Sequence, residues 1–309
     1  MHVDLSLQNF LQLLVNGLIT GSTFALLGVS FGLILNVTGR FHFAYAFTYA
    51  LSAYIAAEVG LSLHASFSVA IIIGALAGMV VGVLMELMVY RPVAKRAGVY
   101  ALLTIFVSSL GMAIAGENLL SIIFHTAASY SISGVSISGI SIGQIDFTNL
   151  DVQQVAVFWA LIVVLAIVLR RSMFGRMIRA VRSNPEMSLA VGINPRTIFL
   201  AVFAIGSVLA GVAGVFDAAQ TAATPSMGYN PIFYAFTVAF LAGSRPTIGV
   251  ALIGLGVGLV QSLSSLFFQS QYQDLVVFVI LFAYVALRPV RVRTLMTRMT
   301  QRLNPATAG

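Results

Sequence analysis

Long apolar stretches alternate with short polar ones along the whole chain. Runs of spanning length fall near 10–36, 41–59, 66–90, 99–116, 153–169, 197–220, 233–244, 247–268 and 274–288. Crossing a bilayer core takes about 20 helical residues, so each run predicts a membrane helix. Helix is the expected element because lipid offers no hydrogen-bond partner to the backbone. The seventh and ninth runs are short and predict a broken, re-entrant or tilted span. The expected fold class is an all-α polytopic membrane protein of about 8–10 transmembrane helices, a single transmembrane domain over residues 1–309.

The polar intervals orient these runs. With Arg40 on the inner side, alternation brings all 16 Lys and Arg to that side. They are Arg91, Lys95 and Arg96, the cluster from Arg170 to Arg196, Arg245, and the tail from Arg288 to Arg302. Asp4, Glu58, Glu117, Asp146, Asp151 and Asp274 fall on the other. A wrong span count would mix the two sets. Positive charge retained inside predicts an outer N-terminus and a cytoplasmic C-terminus. Residues 117–152 become an extracytoplasmic segment, 170–196 a cytoplasmic loop and 289–309 a cytoplasmic tail.

The 170–196 interval carries structure of its own. Asn184-Pro185 is an N-cap followed by proline at the first helical position, where its missing N–H costs nothing. Glu186 places negative charge on the positive end of that helix. Gly192 supplies the left-handed stop, and Asn194-Pro195 repeats the start signal. The pattern predicts a basic segment, a short capped helix near Pro185–Val191, then a span. In the outer segment, Val135-Ser136-Ile137-Ser138 and Ile140-Ser141-Ile142 alternate around Gly139, predicting a hairpin or an equally compatible Ser/Gly coil. In the tail, Val292, Leu295, Met296, Met299 and Leu303 share a helical face, as in an interfacial helix on anionic lipid.

Glycines repeat at four-residue spacing in Gly17/Gly21, Gly28/Gly32, Gly74/Gly78/Gly82 and Gly254/Gly258. This places them on one helix face and lets backbones approach closely. The chain also resembles itself. Tyr45-Ala46-Phe47-Thr48 returns as Tyr234-Ala235-Phe236-Thr237, and Gly21-Ser22 with Ala25 as Gly206-Ser207 with Ala210. The related spans run in opposite directions, so an inverted internal repeat is expected.

Composition narrows the function. Hydrophobic residues make up 59% and charged residues 8%, against roughly 25% charged in soluble domains. The net charge of +7 is accounted for by topology, and nucleic acid is not an expected partner. Without cysteine there is no disulfide framework or thiolate metal site. The N-terminus lacks a basic stretch and carries Asp4, so no cleavable signal peptide is expected. The only lysine, Lys95, follows Ala94, which rules out a P-loop. His2, His42, His64 and His125 are scattered, and no HExxH occurs. Catalysis, a cofactor and a metal are not expected in this chain.

A polar route is expected instead. Asn16, Thr20, Thr23 and Ser30 share one face of the first run. His42, Tyr45, Tyr49 and Ser52 share one face of the second, and Thr104 with Ser108-Ser109 interrupts the fourth. Such mild groups suit a path for a polar solute, although helix–helix hydrogen bonding would use the same residues. Glu86 lies five residues before Arg91 and Asp217 near the outer end of the sixth run. No carboxylate is expected at the bilayer midplane, where a proton- or sodium-driven carrier keeps one. The energy source is therefore expected in another chain.

These residues resemble those of the branched-chain amino acid ABC importer permease family, the first of its two paired permease types. Glu86 with Tyr90-Arg91-Pro92 is similar to the family's close of the third span. Gly175-Arg176, Arg179-Ala180, Asn184-Pro185-Glu186 and Gly192-Ile193-Asn194 resemble its cytoplasmic loop in order and spacing, and Gly206-Ser207 through Val215 continues the likeness. Where the family has Asn-Phe-Ala-His-Gly, this chain has His42-Phe43-Ala44-Tyr45-Ala46. The resemblance implies a permease in a bacterial inner membrane. Its implied partners are a second permease, two cytoplasmic ATPases that bind ATP and Mg, and an extracytoplasmic solute-binding protein, with the solute passing between the two permeases. Arg179, Asn184, Pro185, Glu186 and Gly192 would couple to an ATPase. Relatives of the family also carry urea, amides and aromatic acids. The rivals are a gradient-driven carrier or channel acting alone, and a membrane scaffold.

Overall fold

The computed structural model describes residues 7–124, 132, 137–143 and 145–287. The expected tail helix and the segment Val135-Ser136 lie outside the described residues. In chain order the elements are α1 (Leu7–Thr38), α2 (Tyr45–Leu63) and α3 (Phe67–Leu84), then a π-helical turn (Met85–Tyr90) leading into α4 (Arg91–Ala97). Next come α5 (Ala101–Phe124), a hairpin of β1 (Gly139–Ile142) and β2 (Ile145–Thr148), and α6 (Asn149–Arg171). The chain continues with α7 (Met173–Ser183), α8 (Pro185–Ala190), α9 (Pro195–Thr221), α10 (Tyr229–Ala242), α11 (Thr247–Ser264) and α12 (Gln273–Leu287). Among the described residues, seven stretches are long and apolar enough to cross a membrane, and two shorter apolar helices lie at 229–242 and 273–284. This is the expected all-α polytopic class.

Three local expectations are corrected. The third span does not close at Tyr90-Arg91-Pro92 but continues to Ala97. The Arg91 N–H bonds back to the Glu86 carbonyl, and this wider turn places Pro92 in the first turn of α4, where it needs no donor. The hairpin lies further along the chain than Gly139. Ile140 pairs with Phe147 and Ile142 with Ile145, around Gly143 at φ +68°. The basic stretch before Asn184 is itself a helix, α7. The Ser172 side chain caps it by accepting from the Gly175 N–H at 3.1 Å, and Ile178 and Val181 are its buried face.

The helices pack as two exchanged halves. α1 lies antiparallel to α11, and a Cβ on Gly258 would strike the Gly21 backbone while one on Gly254 would strike Ala25. α3 lies antiparallel to α9 in the same manner. A Cβ on Gly78 would meet the Ser207 carbonyl, and one on Gly211 the Gly74 carbonyl. Gly21 therefore corresponds to Ser207 and Ala25 to Gly211, one residue on from the expected match to Gly206 and Ala210, while Gly74 corresponds to Gly254 and Gly78 to Gly258. The Tyr-Ala-Phe-Thr segments match as well. Gly28 packs on Val238 of α10 and Gly214 on Tyr49 of α2, and position 238 follows Tyr234 as 49 follows Tyr45. α1 and α9 also cross antiparallel, since Ser30 donates to the Gly206 carbonyl at 2.7 Å while Thr20 and Thr221 meet around one cavity.

The second helix of each half begins after an approach that is not helical. Residues 39–44 turn back into the protein, with Arg40, His42 and Ala44 buried. The Ser109 hydroxyl holds that loop, accepting from the Phe43 N–H and donating to the Phe41 carbonyl. Residues 222–228 play the matching part before α10, and Gly228 is in backbone contact with Ala46 at the start of α2. Two helix N-termini thus meet inside the molecule.

Candidate solute cavity and coupling end

Between the halves lies a cavity of about 390 Å³, lined from α1, α2, α6, α9 and α10. Thr20, Thr23, Tyr49, Gln154, Asp217 and Asn230 supply its polar surface. Phe24, Leu27, Phe158 and Met227 supply apolar wall. This is the mixture expected where a small solute is held by a few placed polar groups. The Tyr49 hydroxyl donates to Asp217 Oδ2 at 3.0 Å. Gln154 donates to Thr23 at 2.8 Å and accepts from Gln220 at 2.8 Å. Among the described residues, Asp217 has no cation within ion-pair distance; the ion pairs found are those of Glu86.

Of the residues expected along a solute path, Thr20, Thr23 and Tyr49 line this cavity. Tyr45 is fully buried beside it, its hydroxyl donating to Ser30 at 3.2 Å. His42 is buried in the loop 39–44, with Nδ1 2.7 Å from the Tyr90 hydroxyl. Asn16 is exposed on the first turns of α1 and accepts from Gln12. Thr104 is exposed on α5 beside Leu102 and Leu103 and donates to the Tyr100 carbonyl just before the helix. Sequence reasoning did not collect Gln154, Gln220 and Asn230. They come from three elements, and only folding brings them together.

At the other end, the basic residues gather. The Arg40 guanidinium donates to Glu86, which also accepts from Arg91 Nε at 3.2 Å. Arg91 Nη2 donates to the Arg196 carbonyl at 2.6 Å, binding the start of α4 to the start of α9. Just before α9 stands α8. The Asn184 side chain accepts from the Glu186 and Met187 N–H groups, both at 3.0 Å. Pro185 occupies the first turn, and Gly192 at φ +80° closes the helix. Arg179 on α7 donates to the Leu169 carbonyl. Met187, Leu189 and Val191 are exposed, so the short helix presents apolar side chains away from the protein.

A multi-pass helical protein with inverted halves around a polar cavity, and a capped helix projecting at its basic end, has the architecture of a membrane transport subunit. The chain belongs to the family of branched-chain amino acid transport system permease components, whose model matches residues 13–285. It is 28% identical over 296 residues to the high-affinity branched-chain amino acid transport system permease protein LivH of Salmonella typhimurium, covering 91% of this chain and 94% of that protein. LivH of Escherichia coli K12 is 27% identical over the same length. The permease protein BraD of Pseudomonas aeruginosa is 28% identical over 295 residues, with the same coverage. No solved structure matches.

Proposed function

We propose that this chain is one permease subunit of an ATP-driven importer for an amino acid or similarly small polar solute, in a bacterial inner membrane. The acidic end faces outward with the N-terminus, and the basic end and C-terminus face the cytoplasm, as positive charge retained inside requires. A second permease, two ATPase subunits that bind ATP and Mg, and an extracytoplasmic solute-binding protein complete the machine. The chain itself has no catalytic role. The cavity receives the solute from the outer side. Asp217 and Tyr49 take its polar head, and Phe24, Leu27 and Phe158 its apolar part.

The observation that carries this reading is α8. A six-residue helix defined at both ends, with an apolar exposed face, suits a groove on a soluble partner. It is continuous with the contacts of Arg196, Arg91, Glu86 and Arg40, which end on the loop at the foot of α2. A push on α8 therefore has a stiff route to the helix that carries Tyr49. The test is tagged purification of the chain from native membranes, beside the variant Asn184→Gly/Pro185→Gly. The wild type is expected to bring a second permease and two P-loop ATPases; the variant is expected to insert, lose the ATPases and lose uptake. Normal ATPase recovery with the variant would remove α8 from the mechanism. A stable homo-oligomer without ATPases would overturn the importer reading.

One observation favours a second reading, a gradient-driven carrier acting alone. Asp217, near the outer end of α9, is a carboxylate lining a cavity between helices, the kind of residue that ion-coupled carriers use. That reading requires flux in liposomes by the purified chain under a proton or sodium gradient, abolished by Asp217→Asn.

A further inference from the structure

A second and larger cavity, of about 780 Å³, opens at the basic end between α1, α6, α7 and the start of α11. Arg170, Arg171, Arg179, Arg182 and Arg245 rim it, and all five are exposed. Retention of positive charge on one side explains why they are at this end, but not why residues from three separate segments converge on one groove. Two of them reach backbone carbonyls, Arg179 to Leu169 and Arg182 to Ser244. That orients a guanidinium without neutralising it.

Among the described residues, no lining side chain supplies a counterion for the groove. Among the described residues the ion pairs are those of Glu86 with Arg40 and Arg91, and no lining residue is acidic. The remaining acid at this end, Glu186, lies on α8. The one carboxylate side chain outside the described residues is Asp4. From Leu7 to Val29, where the groove begins on α1, the helix runs about 33 Å. Three extended residues add at most about 11 Å of reach, so Asp4 cannot span that distance. The segment after Leu287 carries five arginines and no acidic side chain. Behind the arginines the wall is apolar: Val29 and Leu33 of α1, Val163 and Ile167 of α6, and Ile248 of α11. From Arg170 back to Val163, that wall extends about 10 Å toward the bilayer interior.

We propose that this groove binds an anionic phospholipid, its phosphodiester among the five guanidiniums and the start of an acyl chain along the apolar wall. Guanidinium forks match phosphate oxygens, and a ligand with a charged head and an apolar tail satisfies both parts of the site. An acidic surface on a soluble subunit would satisfy only the rim.

The test is native mass spectrometry of the assembled transporter with phosphatidylglycerol or phosphatidylcholine bearing the same acyl chains. The wild type is expected to retain phosphatidylglycerol at least about tenfold better, with the soluble subunits bound and excess inorganic phosphate present. Arg170→Gln/Arg171→Gln/Arg245→Gln is expected to lower that preference at least about fivefold, whereas Lys95→Gln/Arg96→Gln keeps it. Val163→Trp, which fills the wall and leaves the arginines in place, is expected to lower retention of phosphatidylglycerol. The proposal is overturned by a wild type without preference, by a triple variant that retains it, or by an unchanged Val163→Trp. Displacement of the lipid by inorganic phosphate or by docking of the soluble subunits would also overturn it. Should the triple variant fail to assemble, Val163→Trp and the wild-type phosphate competition decide.

Discussion

Asp217 is the residue on which the cavity's chemistry turns. A carboxylate in a partly apolar space requires donors or a cation. Here it has the Tyr49 hydroxyl at 3.0 Å and a long contact with Thr221 at 3.5 Å. These leave capacity for a donor brought by the solute, and the ammonium group of an amino acid is the natural one. If the solute is an amino acid, Asp217→Asn is expected to lower its uptake by the assembled transporter at least about tenfold, since a charge-assisted hydrogen bond contributes about 1.5–3 kcal/mol. Asp217→Glu should recover most of the loss. Tyr49→Phe removes one donor and should cost less, about threefold to tenfold. Uptake assays in proteoliposomes with ATP inside check all three. Equal uptake by Asp217→Asn and wild type would exclude the carboxylate from solute recognition.

At the scale of elements, what was legible in the sequence is what neighbouring residues encode. Asn184-Pro185-Glu186 and Gly192 write α8 within nine residues, and the structure has it at Pro185–Ala190. The spans were legible for the same reason, because apolar length is a local property. α7 was less so. Its Arg176, Arg179 and Arg182 read as loop charge, while the buried face of Ile178 and Val181 takes its meaning from the core it meets. The hairpin shifted because Ser/Ile alternation sets no register of its own; the turn at Gly143 sets it. The loop 39–44 was least legible, since His42 and Tyr45 look like a helix face until Arg40 is seen to turn inward onto Glu86. That ion pair makes its own prediction. Glu86 is fully buried and Arg40 nearly so. Glu86→Gln leaves Arg40 buried without its counterion, which costs about 3–5 kcal/mol. Thermal melting of the purified transporter should show a large loss, partly restored in Arg40→Gln/Glu86→Gln. A double variant no better than the single would mean that the two side chains do not act as a pair.

At the scale of the whole molecule, the inverted repeat makes two seams do the same work. α1 meets α11, and α3 meets α9, each through glycines that let backbone touch backbone. Between them the N-termini of α2 and α10 meet at Ala46 and Gly228, beside the cavity. Movement of one half against the other would then open the cavity to one side of the membrane and close it to the other, with the seams as the surfaces held fixed within each pair. Equivalent seams should respond equally to the same insult. Gly258→Leu forces a side chain into the backbone of Gly21, and Gly78→Leu forces one into Ser207 and Gly211. Overpacking of this kind costs about 1–3 kcal/mol, and backbone neighbours cannot rotate away, so both variants should fall at or above the upper end. Gly111→Leu is the control, because nothing lies within 4 Å of a Cβ there. Its melting temperature should stay near that of the wild type. Similar losses for Gly78→Leu and Gly258→Leu, with Gly111→Leu unchanged, would mean that the halves are equivalent in energy as well as in connectivity. A tolerant Gly78 beside an intolerant Gly258 would mean that the repeat survives as topology while the load has moved to the seam between α1 and α11.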